Sequence, residues 1–278
     1  MKKHLSTIIL ILVFLTGLGL IMYPTVSDLV NKAHQSVAID SYEKKVSEMT
    51  KDDFHRILED ARLYNNTITT NEFPRNSDDI EGNSEYTAAV NPSGNGMIGY
   101  LKIDVISLKI PIYHTTREAI LQKAVGHIPT TSLPVGGKGT HAVLTGHRGL
   151  PSARLFTDLD KVRIGDIFYI YVLDDILAYE VDRITTVLPS EVNDLQIEPD
   201  EDYVSLVTCT PYGINTHRLV VRGRRVPYES TVEKQKTLEP IVETLPKEQQ
   251  AILVVAPFLV ILFIFILIVR KKRKGDAQ

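Results

Sequence analysis

Three short segments carry side chains able to do covalent chemistry: Leu144-Thr145-Gly146-His147-Arg148-Gly149-Leu150-Pro151, Ser205-Leu206-Val207-Thr208-Cys209, and the stretch from Thr210 to Gly223 that contains Arg218. Cys209 is the only cysteine in the 278 residues, so the chain has no internal disulfide. An unpaired thiol is kept either as a small packed hydrophobe or as a nucleophile. As a nucleophile it attacks an amide only as thiolate, and an imidazole within reach can take the proton and later return it to the leaving amine. Among the eight histidines, His147 is the best candidate because it closes a β-rich run and is followed by Gly149 and Pro151, which turn the chain. On spacing alone, His127, His141 and His217 stay open. Acyl transfer also builds negative charge on a carbonyl oxygen, which a fixed guanidinium stabilises. Arg218 follows Cys209 across Pro211-Tyr212-Gly213-Ile214-Asn215, a loop-forming run between two β-rich runs, so neighbouring strands could return it to the thiol. Arg222, Arg224 and Arg225 read as solvated cations.

These side chains need a rigid frame, and the sequence from residue 97 onward supplies β-rich runs bounded mostly by Gly, Pro, Asp or Asn. They are Met97–Ile103, Ile106–Tyr113, His141–Thr145, Ile167–Leu173, Leu177–Leu188, Tyr203–Cys209 and Leu219–Val226. Seven or eight such strands with few helices predict a mainly β domain closed into a barrel. Short helices are expected at Thr116–Val125 and around Ala153–Leu159. Upstream, Val26, Val30, Ala33 and Val37 recur at helical spacing and are expected to pack against the domain. A second helix opens at Thr50-Lys51-Asp52-Asp53, a capping-box-like start, before Phe54, Ile57, Leu58 and Ala61. Residues 65–96 are polar and turn-rich without sustained period, as in a loop covering a site or a linker.

Apolar residues concentrate at both ends. Leu5 to Met22 is uncharged and long enough to cross a hydrocarbon core of roughly 30 Å as a helix, and it follows Lys2 and Lys3. Tyr23-Pro24 follows it in place of a small-residue cleavage site, which favours an uncleaved signal-anchor. Ala251 to Val269 is a second spanning run, ended by Arg270 to Lys274. Basic flanks stay inside, which puts both termini in the cytoplasm and the residues between outside. The expected layout is a cytoplasmic start (1–4), a transmembrane signal-anchor (5–23), a helical region (24–64), a lid-like loop or linker (65–96) and the barrel (97–227). A juxtamembrane tether (228–250), a transmembrane helix (251–269) and a basic cytoplasmic tail (270–278) complete it. A net charge of −3 argues against a nucleic-acid partner. The chain has no H-E-x-x-H, no cysteine pair at zinc spacing and no phosphate loop, so no cofactor and no metal are expected.

Ser205-Leu206-Val207-Thr208-Cys209 resembles the sortase signature TLxTC with Ser in the first place, and Thr210 to Arg218 is similar to its extended form in the pilus-assembling class C sortases. Gly136-Gly137 followed by Thr145 to Phe156 also looks like the histidine segment of that class, so the likeness runs from about Ile98 to Arg225. The resemblance implies an eight-stranded β-barrel, with Cys209 as nucleophile, His147 as acid and base and Arg218 as stabiliser of the transition state or substrate carbonyl. It further implies cleavage of an LPxTG-like sorting signal between Thr and Gly, a thioester, and transfer to a lysine amine of the next pilin. Attachment of surface proteins to a cell-wall precursor would use the same three residues, and a non-enzymatic membrane-anchored adhesion or scaffold domain would use none. Many class C relatives carry an Asp-Pro-aromatic lid anchor before the barrel. Residues 65–96 lack it, so this segment is expected to cover a groove only loosely.

Overall fold

Period-2 runs rich in Val, Ile and Tyr can pair only with one another, and here they pair until no edge is left. A computed structural model of the chain describes residues 2–68, 84–191 and 193–228, with a few positions between 257 and 264. The strands are β1 (Met97–Ile103), β2 (Leu108–His114), β3 (Val125–His127), β4 (Thr140–Thr145), β5 (Ile167–Val172), β6 (Asp175–Val187), β7 (Asp202–Thr210) and β8 (His217–Val226). They close in the order β1-β2-β3-β4-β7-β8-β6-β5, the expected eight-stranded barrel. Closure removes the unpaired strand edge on which other chains could add. The interior is filled by side chains such as Leu101, Ile110, Ile112, Leu144, Phe168, Tyr179, Leu206 and Val221, all fully buried.

The described residues divide into two compact units, one that includes residues 2–30 and one that includes residues 31–228. In the first, Leu5, Ile8, Leu12, Val13 and Leu20 are all more than half exposed on helix α1 (Lys2–Ser47), whose apolar part has a mean hydropathy of 2.3. A helix of that length and composition is able to span a bilayer. It does not stop at Pro24, which lies inside it. The run Ala251–Val269, expected to cross a second time, lies largely outside the described residues, as does the tether before it.

In the second unit, Gln35, Ile39, Tyr42 and Val46 form the buried stripe of α1. The Tyr42 hydroxyl donates to the Ile98 carbonyl (2.8 Å) and accepts from the Leu173 amide (2.8 Å), which fastens the helix across β1 and the end of β5. This overturns the expected packing stripe: Val26, Val30, Ala33 and Val37 are exposed. Both stripes have helical spacing, and a single tyrosine bonded to two backbones outweighs valines that find no partner. Helix α2 (Lys51–Thr67) starts with the expected capping box, Thr50 Oγ1 accepting from the Asp53 amide while the Asp53 side chain accepts from the Thr50 amide.

Residues 69–83 of the lid-like segment lie outside the described residues; its flanks are held more firmly than expected. Asn65 exchanges two hydrogen bonds with the backbone of Leu133 (3.1 and 2.7 Å). On the far side, α3 (Ser84–Ala88) buries Tyr86, whose hydroxyl bonds His127 Nδ1 (2.9 Å) and accepts from the Thr115 amide (3.1 Å). Helix α4 is one turn, Glu118–Leu121, shorter than expected because β3 takes over at Val125. The helix expected around Ala153–Leu159 is a series of turns ending in a 3-10 turn at Leu159–Lys161.

Candidate active site

Cys209 is the penultimate residue of β7, and β8 returns antiparallel to it so that Cys209 and Arg218 are direct cross-strand partners. On the other side of β7, β4 runs parallel, matched from Thr140 with Asp202 to Thr145 with Val207. The match continues past the ladder's end: the Gly146 amide donates to the Val207 carbonyl (3.2 Å) and Thr208 Oγ1 donates to the Gly146 carbonyl (2.8 Å). Two residues beyond Thr145, His147 therefore comes level with Cys209. The three residues singled out from sequence meet at one end of three adjacent strands, β4, β7 and β8.

The loop after His147 is moulded to that end. A Cβ on Gly146 would press on the buried ring of Phe156 at 3.0 Å, and the Phe156 amide donates back to the His147 carbonyl (3.1 Å). Gly149 has φ +81° and lies against the Tyr212 ring, so both the backbone angle and the space call for glycine there. Between them Arg148, with a side chain only 9% exposed, donates to Thr210 Oγ1 (3.1 Å) and pairs with Asp160 (2.5 Å). It thus ties the histidine-bearing loop to the residue that follows Cys209.

Cys209 is half-buried. The side chain of His147 is 30% exposed, and its Nε2 lies 3.1 Å from Glu118 Oε2 of α4. The Arg218 guanidinium donates to the carbonyls of its neighbour His217 (3.1 Å) and of Asn215 (3.3 Å) in the β7–β8 loop. The other candidate histidines are committed elsewhere. His127 is fully buried with Nε2 2.8 Å from the Ser132 carbonyl, and burial pushes its pKa down to about 3. His141 lies buried towards the opposite end of β4, bonded to the Gln196 carbonyl and Ser205 Oγ, with its pKa pushed down to about 4, chiefly by burial. His217 bonds its neighbour Thr216 (2.9 Å).

Arg222 departs from its expected role as a solvated cation. Its side chain is 9% exposed, pairs with Asp182 (2.7 and 3.1 Å) and Glu198 (3.4 Å), and lies over the Tyr203 ring. An arginine this buried needs such partners, and Asp182 comes from β6, far away in sequence. Glu118, Arg148 and Thr210 are the site residues that sequence reasoning did not assign. Arg148 had a local signal in its place beside His147, whereas nothing near Glu118 marks it. Among the described residues no group of three or more His, Cys, Asp or Glu side chains is placed to hold a metal ion. A half-buried thiol, an imidazole level with it and a cross-strand guanidinium form a constellation suited to acyl transfer.

Residues 101–226 match the family model described as Sortase domain. Among solved structures, the chain is similar to sortase C1 from Streptococcus agalactiae, at 44% identity over 68% of this chain and 98% of that one, with a TM-score of 0.64. It is also similar to sortase C of Streptococcus pneumoniae, at 43% identity over 69% and 97% of the two chains and a TM-score of 0.61. Sortase A of Bacillus anthracis is 28% identical over 46% of this chain, which spans only 59% of that relative's length.

Proposed function

The chain belongs to the sortase family of cysteine transpeptidases, and from that premise we propose that it cleaves an LPxTG-like sorting signal and transfers the acyl group to a lysine amine of a pilin subunit. The Cys209 thiolate attacks the threonine carbonyl carbon, and Arg218 meets the charge that develops on its oxygen. The carbon–nitrogen bond to glycine breaks as protonated His147 gives its proton to the leaving amine, leaving a thioester on Cys209. An incoming lysine amine then attacks the thioester, loses its proton to His147 and releases the thiolate. No cofactor is required by these steps.

The observation that supports this reading most is the ladder register, with Cys209 and Arg218 as partners on β7 and β8 and the β4 match carrying His147 level with the thiol. Arg218 at rest bonds nearby backbone, so its role asks it to exchange the carbonyls of Asn215 and His217 for the substrate oxygen. Catalytic hydrogen bonds commonly tighten only when substrate binds.

Pilin as substrate is supported by the likeness to the two class C enzymes, one of them described in terms of pilin substrate specificity. We take the chain to be anchored by α1 and by a second span at 251–269, with Lys2, Lys3 and Arg270 to Lys274 on the cytoplasmic side and the barrel outside. Incubation of the full-length protein with pilin subunits bearing the signal should give an SDS-resistant ladder. A product seen only with a cell-wall precursor as acceptor would replace the pilin reading with surface-protein attachment, which would use the same three residues.

A further inference from the structure

What holds the imidazole of His147 is the open question of this site. The residue follows β4 on a loop, and with 30% of its side chain exposed, packing alone does not fix the ring. Helix α4 reaches it from outside the β4-β7-β8 group: Glu118 Oε2 lies 3.1 Å from His147 Nε2. The other Glu118 oxygen accepts from the side-chain amide of Gln122, one turn on. Gln122 first, and His147 second, hold the Glu118 carboxyl below its ordinary range, so it is anionic at neutral pH.

A carboxylate only accepts hydrogen bonds, so Nε2 must carry the hydrogen. In the neutral ring this makes Nδ1 the basic nitrogen. Among the described residues no hydrogen bond is made to His147 Nδ1, which leaves it free to exchange a proton with sulfur or with a substrate amine. Other ionisable groups at this end of the barrel include Cys209, Arg218, Arg148, Asp160 and His217. Both arginines are engaged, one with the carbonyls of Asn215 and His217 and the other with Thr210 and Asp160, and neither can accept from the ring.

We propose that Glu118 is a positioning residue for acyl transfer, holding His147 as the Nε2–H tautomer and balancing the imidazolium that forms in each half-reaction. This rests on the reading of Cys209 and His147 given above. Glu118 stays ionised and Nε2 keeps its hydrogen throughout; the only proton that moves travels between Nδ1 and the substrate nitrogens or the sulfur. Glu118 is 65% exposed, and exposed ion pairs add little to stability. Its loss should therefore register in the chemistry and not in the fold.

The test uses the full-length protein in detergent micelles, labelled with ¹⁵N-histidine, with the His147 signals assigned by their loss in His147→Gln. The wild type should show the Nε2–H tautomer. In Glu118→Ala the two tautomers should mix, and kcat for an LPxTG-type peptide should fall by about tenfold, part of the 10²–10⁴ that general acid–base catalysis contributes. KM and the melting temperature should hold. Glu118→Gln, whose amide oxygen still accepts, should recover the tautomer and most of kcat. An Nδ1–H tautomer in the wild type, or unchanged tautomer and kcat in Glu118→Ala, would overturn the proposal. A Cys209→Ala control separates the two levels: turnover in that variant would bring down the acyl-transfer reading itself, whereas a dead control beside a fully active Glu118→Ala overturns only the positioning role.

Discussion

Cys209 and Arg218 are opposite residues of the β7–β8 ladder, so their side chains leave the same face of the sheet. Direct cross-strand partners have Cβ atoms about 4.5–5.5 Å apart, within the span of a carbonyl group bound between them. The guanidinium needs only to leave the carbonyls of Asn215 and His217 to reach that carbonyl's oxygen.

Replacing Arg218 by Lys keeps the charge and loses the fixed fork, and should lower kcat by about 10²-fold, the order seen when one oxyanion donor is removed. Peptide-cleavage kinetics check this. A variant with wild-type kcat would remove Arg218 from the chemistry.

Arg148 joins the histidine loop to Thr210 and Asp160 from a buried position. Arg148→Met should cost about 1 kcal/mol of stability, because the hydrogen bonds of the guanidinium to Thr210 and Asp160 are lost while water can reach the exposed Asp160. It should also slow turnover, since the His147 loop loses its tie to the end of β7. Denaturant unfolding and kinetics on the same preparation measure both effects.

The buried histidines set an acid limit. Unfolded, each imidazole binds a proton near its ordinary value of 6.5, but in the fold burial delays this to about 3 for His127 and about 4 for His141. Below pH 6.5 the unfolded chain therefore holds more protons, and stability falls as the pH drops. At pH 5 the two together should cost on the order of 4 kcal/mol. Melting temperatures should decline steadily between pH 6.5 and 4, and less steeply in a folded His141→Gln variant.

The barrel was legible because its strands are long and bounded by turn residues: Met97–Ile103 is β1 as expected, and the other expected runs match their strands to within two residues at either end. β3 was not legible. Val125-Gly126-His127 is too short to show a period, and it is a strand only because β2 and β4 lie on either side of it. The inward face of α1 was misread because Ile39 and Tyr42 compete with valines of equal spacing, and the tyrosine's partners, Ile98 and Leu173, lie far along the chain. For the same reason the partner of Arg222 could not be read locally. Position beside a turn pointed to His147, but excluding His127 and His141 required seeing that both their ring nitrogens are taken.

Membrane topology gives an independent check. With Lys2, Lys3 and Arg270 to Lys274 inside, protease added to intact protoplasts should digest the barrel and spare a tag placed after Gln278. Loss of the tag without lysis would put the C-terminus outside.

The acyl-enzyme is the most direct measure of the whole account. Full-length protein mixed with an LPxTG-type peptide and quenched in acid should gain the mass of the acyl fragment ending in threonine, and peptide mapping should locate it on Cys209. Hydroxylamine should release it, as expected of a thioester, and Cys209→Ala should carry no adduct. An adduct that survives in Cys209→Ala, or peptide turnover by that variant, would contradict the account.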